Sequence, residues 1–365
     1  MYNVAIIGCG RISHKIAEGV AKNNDRMKLV VLCDPIEEKM FETEKTYNKK
    51  MGIDATLSKC KNYKEILNQN KIDIAIIATE SGYHEEIGLY FLENGVNLII
   101  EKPLAMSIEG AQKLVDAAKK NNLKLAASHQ NRFNYPIQLL KKAIKENRLG
   151  KVFNGMARIL WTRDDNYYLQ APWRGTWALD GGTLMNQCIH NIDLINWMMD
   201  DEIDTVYAQT SNYIRNIEAE DYGVILIRYK SGKIATIEGS AIVYPKNLEE
   251  TLTITGEKGT VVIGGMAVNK INTWRVEGDN EQEYLSIDCG DPNSVYGYGH
   301  EALYKDFVDA LDENREPLVN GMAGLEAVKI ILAAYKSQKI GLPVKISEFN
   351  EFSTLDMEKK NVKYL

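Results

Sequence analysis

Residues 8–13 read GCGRIS, between the apolar run YNVAII and the amphipathic stretch HKIAEGVAKN. A glycine-x-glycine turn is a weak signal by itself, because glycine-rich turns are common. Here the turn sits where a strand should end and a helix should begin. Ser13 stands at the place of a third glycine and is small enough for close helix–strand packing. Gly8 permits the turn, and Gly10 lets the backbone approach a pyrophosphate. The amides of Arg11 and Ile12, opening the helix, aim partial positive charge at it.

A second observation is independent of the loop. The next strand, KLVVLCDP, ends in Asp34, about twenty residues beyond the turn, where an acid binds the ribose of a dinucleotide. A carboxylate there accepts hydrogen bonds from the 2′- and 3′-hydroxyls and repels a 2′-phosphate, so NAD is expected over NADP. An aspartate before Pro35 can also cap a helix, and the two roles are compatible.

Outward from the loop, apolar β-branched runs (YNVAIIG, KLVVLCD, DIAIIATE, NLIIEKP, LKLAAS) alternate with amphipathic segments such as SIEGAQKLVDAAKKNN. This alternation predicts right-handed crossovers and a parallel, doubly wound sheet. Near Gln130 the pattern changes. GVILIRYKSGKIATIEGSAIVY and TLTITGEKGTVVIGG read as hairpins turning at residues 230–233 and 256–259. Two helices follow, HEALYKDFVDALDEN and GMAGLEAVKIILAAYKSQKI, then a polar tail from about Ser347. The expected organisation is α/β followed by α+β. A dinucleotide domain over residues 1–128 precedes a substrate and oligomerisation domain over 129–365, built on a large, mainly antiparallel open sheet with helices on one face. A cleft between two such domains is where a ligand is expected.

The chain has 365 residues, 26% of them charged, with a net charge of −6. Positive and negative residues are mixed, so no basic stripe offers itself to nucleic acid or an anionic membrane. The five cysteines are scattered without a C-x-x-C pair or a zinc-ligand spacing, so no metal is expected and free thiols in a reducing cytoplasm are. The first strand starts almost at Met1, leaving no room for a signal core, and no apolar run approaches membrane-spanning length.

The strand ending NLIIEKPLA places Glu101 and Lys102 at the carboxyl edge of the sheet, with Lys102 toward the ligand crevice. Further on, GGTLMNQCIHNIDL is expected to start a helix at Gly181-Gly182 and to set Asn186, His190 and Asp193 on one face. Arg132, Arg163 and Arg174, with Tyr167, Tyr168, Trp173 and Trp177, supply cationic forks and flat rings suited to phosphate, carboxylate, sugar or base. A loop that packs a neighbouring subunit would use the same residues.

The order GCGRIS, Asp34, EKP at residues 101–103 and G-G-T-L-M-N-Q-x-x-H-x-x-D at 181–193 resembles the Gfo/Idh/MocA family of oxidoreductases over nearly the whole chain. That resemblance implies that Lys102 and His190 are the catalytic pair. It implies a cofactor site at Gly8, Gly10, Arg11, Ile12, Asp34, Thr79, His84, Glu101 and Lys102. Substrate contacts are implied at Arg132, Arg163, Arg174, Thr176, Asn186 and Asp193. Many polyol dehydrogenases of the family carry aspartate four residues before the histidine, whereas this chain has Asn186. SHQNRFNYPIQLLKKAI, WRGTWALDGG and LMNQCIHNIDL are similar to the branch that oxidises nucleotide-linked sugars at C3, such as UDP-N-acetylglucosaminuronate.

The expected reaction moves hydride between a sugar carbinol carbon and nicotinamide, with His190 taking the hydroxyl proton and Lys102 stabilising the oxygen. The alternatives are a dehydrogenase of free sugars, inositols or small diols, and an NAD-binding regulator without turnover. The sheet of residues 206–290, with Val224, Leu226 and Ile237 among polar neighbours, is expected to join a homodimer or homotetramer.

Overall fold

The computed structural model describes residues 1–290, 297 and 299–358. Its first sheet has six parallel strands: β1 (Tyr2–Ile7), β2 (Met27–Cys33), β3 (Ser58–Cys60), β4 (Ile74–Ile77), β5 (Asn97–Ile100) and β6 (Leu125–Ala127). Their spatial order, 3-2-1-4-5-6, is that of a doubly wound dinucleotide fold, with ligands at the carboxyl ends of the strands. All four residues of β4 are fully buried, as expected for a strand covered on both faces. The sequence did not announce β3: it is three residues long, SKC, and has no apolar period to read.

Helix α1 (Ser13–Lys22) follows the glycine turn and α2 (Glu37–Met51) follows β2. In α2, Glu37 and Glu38 open the helix and Lys49 and Lys50 close it, matching the macrodipole; Gly52 ends it at φ +68. Helices α3 (His84–Glu93) and α4 (Ile108–Lys120) follow β4 and β5, and α5 (Tyr135–Lys145) leads into the second sheet.

The second sheet has eight strands: β7 (Val152–Leu160), β8 (Ile203–Ser211), β9 (Tyr222–Tyr229), β10 (Ile234–Ser240), β11 (Glu249–Gly256), β12 (Gly259–Gly264), β13 (Lys270–Val276) and β14 (Val344–Lys345). All neighbours are antiparallel except β7 and β10. Both hairpin turns fall where the sequence placed them. Helices cover one face: Gly155 of β7 lacks a side chain where Ile195 and Met199 press in. On the opposite face Met156 and Leu226 are 43% and 44% exposed. Ile237 was expected among these but is fully buried, because the β10 register turns it to the helix side.

The chain divides into two compact units. One comprises Met1–Ala105, Gly110–Ser128 and His300–Leu325; the other comprises Met106–Glu109, His129–Gly299 and the residues from Glu326 onward. The linear division at 128/129 does not foresee the return at His300. Helix α8 (Gly299–Asp312) rejoins the first unit because its Tyr304 ring fills the space left by Gly19 of α1, and Arg26 pairs with Asp309 at 2.6 Å. Of the polar tail expected from Ser347, residues 359–365 lie outside the described residues.

Candidate active site

In the first unit, the glycine turn has one closed and one open side. Gly8 takes φ +94, and a Cβ there would lie 2.4 Å from the Ala78 carbonyl oxygen, so the turn presses on the end of β4 beside Thr79. A Cβ on Gly10 would meet nothing within 4 Å. The open space at Gly10, in front of the first amides of α1, is what a pyrophosphate requires, and the residues present fit a dinucleotide. Ser13 donates to the Gly10 carbonyl oxygen at 2.7 Å, tying the turn to the helix.

Asp34 follows β2 directly. Its Oδ2 accepts the Cys9 N–H at 2.9 Å and its Oδ1 accepts the Ile36 N–H at 2.9 Å. The residue therefore shapes the glycine turn as well as standing at the ribose position. It does not cap α2, whose N-cap is Ile36. Two carboxylate oxygens accept about four hydrogen bonds, so two backbone amides leave capacity for a ribose. Arg11 is exposed on the turn, and Ile12 is the N-cap of α1.

At the end of β5, Lys102 is half-buried and joined to Pro103 by a cis peptide. The residues on either side of it are held by buried histidines. His84 lies between two carbonyls, with Nδ1 2.7 Å from that of Pro103 and Nε2 3.1 Å from that of Thr79. Burial pushes its pKa down, and the shorter contact assigns the remaining proton to Nδ1. His84 was expected to touch the cofactor; with both ring nitrogens turned to backbone and 1% exposure, it braces the turn instead. On the other flank, His300 Nε2 lies 3.7 Å from Glu101 Oε1. Burial alone would raise the Glu101 pKa; His300, Lys102 and the Ser128 hydroxyl outweigh it and hold the carboxyl below its ordinary range.

In the second unit the expected single helix is two. Helix α6 (Thr183–Asn186) carries Asn186, and α7 (Ile189–Met199) carries His190 and Asp193. At the break, the N–H groups of Gln187 and Cys188 both reach the Thr183 carbonyl at 2.9 Å, which inserts one residue into the helical ladder. Cys188 there seats its sulfur where Gly239 of β10 has no side chain.

Two residues of the stretch HQNRF face α7. The His129 ring stands edge-on to His190 with centroids 5.8 Å apart, and Arg132 forks onto Asp193 with Nε–Oδ2 at 2.7 Å and Nη2–Oδ1 at 2.6 Å. The ion-paired side chains are 7% and 1% exposed. The expected substrate contacts at Arg132 and Asp193 are thus a buried ion pair that holds α7. The half-exposed Thr176 keeps its turn in shape: its hydroxyl donates to the Trp173 carbonyl oxygen at 2.7 Å and accepts from Leu179 N–H at 3.3 Å.

The other arginines form a ladder with aromatic rings. Arg163 lies 4.6 Å from the Trp161 ring centroid and 5.2 Å from that of Tyr167; Arg174 lies 4.1 Å from Tyr167 and 5.0 Å from Trp173. Tyr168 meets Tyr167 edge-on. The Arg174 Nε is buried without a hydrogen-bond partner among the described residues. From the ladder a polar chain runs to α6. Gln187 donates to the Tyr167 hydroxyl at 3.4 Å and to Asn186 Oδ1 at 3.1 Å, Asn186 donates to Asp180, and Asp180 accepts the Gly175 N–H at 2.7 Å.

The sequence reading passed over several buried polar groups: Asp180, Glu220, Glu250, His129 and His300. Asp180 and His129 lay inside stretches already singled out, next to the arginines and glycines that drew attention. Glu220 accepts the Leu184 N–H at 2.8 Å and the Tyr335 hydroxyl at 3.0 Å, and burial pushes it up to about 8. Among the described residues no group of His, Cys, Asp and Glu could hold a metal ion, and no helix is long and apolar enough to cross a membrane.

Comparison with known proteins agrees with this geometry. Residues 2–129 match the oxidoreductase family with an NAD-binding Rossmann fold, and residues 137–262 match the GFO/IDH/MocA C-terminal domain. The crystal structure of the WlbA dehydrogenase from Bordetella pertussis in complex with NADH and UDP-GlcNAcA is 32% identical, covers 94% of this chain and 98% of that one, and superposes with a TM-score of 0.81. A second WlbA dehydrogenase complex with the same two ligands, from Chromobacterium violaceum, is 33% identical over 94% of this chain and 95% of that one, with a TM-score of 0.83. The myo-inositol 2-dehydrogenase of Thermotoga maritima is 24% identical over 94% of this chain and 98% of that protein. The open cradle at Gly10, the acid at Asp34 and these matches along both parts of its length place the chain in the Gfo/Idh/MocA family of NAD-dependent oxidoreductases.

Proposed function

We propose that this chain is a dehydrogenase that oxidises a secondary alcohol of a nucleotide-linked sugar, with C3 of a UDP-N-acetylglucosaminuronate-like substrate as the best candidate. The observation that carries this reading is the ladder Trp161–Arg163–Tyr167–Arg174–Trp173. Alternating guanidinium groups and ring faces suit a ligand that is anionic and flat in different parts, as a nucleotide diphosphate sugar is. A buried guanidinium nitrogen without a partner among the described residues, as at Arg174, is explained by a ligand acceptor. The likeness to WlbA structures solved with UDP-GlcNAcA supports the same class.

Bound NAD supplies the hydride acceptor. In the proposed reaction His190 takes the hydroxyl proton of the carbinol, while the Lys102 ammonium stabilises negative charge on the oxygen as the C–H bond breaks. Gly8, Gly10, Arg11, Ile12, Asp34 and Thr79 hold the cofactor, and Asn186, with Gln187 and Asp180 behind it, orients the sugar. The linear domain division at 128/129, with His300–Leu325 returning to the first unit, a homo-oligomer joined through the open sheet face, and action in the cytoplasm, where unpaired cysteines stay reduced, belong to the same proposal.

A second reading, oxidation of a free inositol or sugar, draws on the similarity to the myo-inositol enzyme. A panel of nucleotide sugars, free sugars and inositols, followed at the NADH absorbance band with a keto-acid present to reoxidise retained cofactor, separates the two. Turnover confined to nucleotide sugars supports the proposal. Turnover confined to free polyols replaces it with the second reading, and NAD binding without turnover of any compound leaves a regulator.

A further inference from the structure

In the first unit Glu101 Oε1, Ser128 Oγ, His300 Nε2 and Tyr304 Oη are buried side-chain atoms with no partner within hydrogen-bond distance among the described residues. They belong together. His300 Nε2 is 3.7 Å from Glu101 Oε1, and the His300 and Tyr304 rings lie 6.3 Å apart, four residues along α8. Ser128 follows β6 and donates its backbone N–H to the Ile100 carbonyl, the residue before Glu101. Buried polar atoms are almost always satisfied, so three that gather beside one ionised carboxylate, itself short of a partner, mark a cluster that tightens around it or is bridged by water.

This cluster stands directly before Lys102 in the chain, and His84 holds Pro103 directly after it. The helix bearing His300 is itself anchored. Tyr304 fills the space of Gly19, Asn23 donates to the Glu301 carbonyl at 3.2 Å, and Arg26 pairs with Asp309. A segment nearly two hundred residues beyond Lys102 therefore reaches back to the turn that carries it. Left alone, the Glu101 carboxylate would be a buried charge facing only its neighbour Lys102, free to swing onto that ammonium and draw it off line.

We propose that His300, supported by Ser128 and Tyr304, is a positioning residue that holds the Glu101 carboxylate in place and so fixes where Lys102 presents its ammonium. The inference rests on the reading of Lys102 as catalytic. It assigns α8 a part in turnover that composition and motif spacing do not suggest.

The test measures single-turnover reduction of bound NAD, substrate KM and NAD affinity in the full-length H300F, H300Q and E101Q variants and the E101Q/H300F double variant. K102M is run in parallel, and unfolding temperatures confirm that each variant is folded. A displacement of about 1 Å in a reacting group costs on the order of a hundredfold in rate. H300F is therefore expected to slow hydride transfer about tenfold to a hundredfold, with NAD affinity and KM within about threefold, a split that a merely structural defect does not produce. H300Q, which keeps an N–H donor near the place of Nε2, should recover most of the rate. The double variant should be no slower than E101Q, because the two act through one contact. Wild-type rates in H300F, or losses that multiply in the double variant, overturn the proposal. If H300F does not fold, H300N replaces it, since its shorter amide cannot reach Glu101; a rate equal to that of H300Q overturns the proposal equally. An active K102M defeats the Lys102 reading itself, and an inactive K102M beside a normal H300F defeats only this inference.

Discussion

Arg132 and Asp193 close a two-point fork at 2.7 and 2.6 Å, and the carboxylate is all but sealed from solvent. The same two segments set His129 edge-on to His190, so the ion pair fixes the helix turn that carries the proposed base. Removing one member leaves the other buried and charged. Asp193→Asn should therefore cost roughly 3–5 kcal/mol in a denaturant-unfolding experiment. Arg132→Met combined with Asp193→Leu should cost distinctly less than the sum of the single losses. Simple additivity would contradict the pairing.

The two glycines of the turn make opposite predictions. Gly8→Ala drives a methyl into the Ala78 carbonyl at a left-handed φ and should lower the unfolding temperature. Gly10→Ala meets no protein atom, so the fold should survive while NAD affinity falls at least tenfold, about 1.4 kcal/mol. Calorimetric titration with NAD and NADP checks this and the role of Asp34 together. The unmodified protein should prefer NAD, and Asp34→Ser should narrow the gap. Because Asp34 also accepts the Cys9 amide, that variant should weaken NAD binding itself.

Much of the first unit was legible because parallel strands write themselves as apolar runs and the cofactor turn as glycines. What escaped has physical reasons. Ser58–Cys60 is too short and polar to show a period. The helix break at Gln187–Cys188 arises from the seat Gly239 offers, a partner some fifty residues away. Arg132 was read as a cationic fork for a ligand and Asp193 as a substrate contact on the face of His190, and a sequence does not show that two such groups have found each other. The return of His300 to Glu101 depends on a void at Gly19, visible only once the helices are placed.

Two buried carboxyls give a pH dependence. Burial pushes Glu220 and Glu250 up to about 8, above the ordinary value of about 4.3. The folded chain then keeps protons that the unfolded chain releases, so this contribution to stability is full below about pH 4.5 and is lost as pH rises through about 8. Glu101, held low, works in the opposite sense, contributing at neutral pH and fading in acid. The unfolding temperature should fall between about pH 6 and 8.5, and Glu220→Gln with Glu250→Gln, which imitate the protonated acid, should flatten that fall. An unchanged slope in the double variant would show that these groups ionise freely in the fold.

The open face of the second sheet presents Met156, Val224, Leu226 and Ile234 at 37–44% exposure, in registers that run across β7, β10 and β9. In the proposed oligomer a second copy covers them. Leu226→Lys with Met156→Glu should convert the assembly to monomer in light scattering without changing the unfolding of the isolated chain by more than about 1 kcal/mol. An unmodified protein that is monomeric at micromolar concentration would contradict the assembly.

The central claim is that Lys102 and His190 carry hydride transfer from a sugar carbinol to NAD, and it is tested most directly by single-turnover reduction of bound NAD with UDP-N-acetylglucosaminuronate. Lys102→Met and His190→Asn should each slow the absorbance change by about a hundredfold to ten-thousandfold while leaving NAD affinity intact. Near-normal rates in both variants would contradict the account.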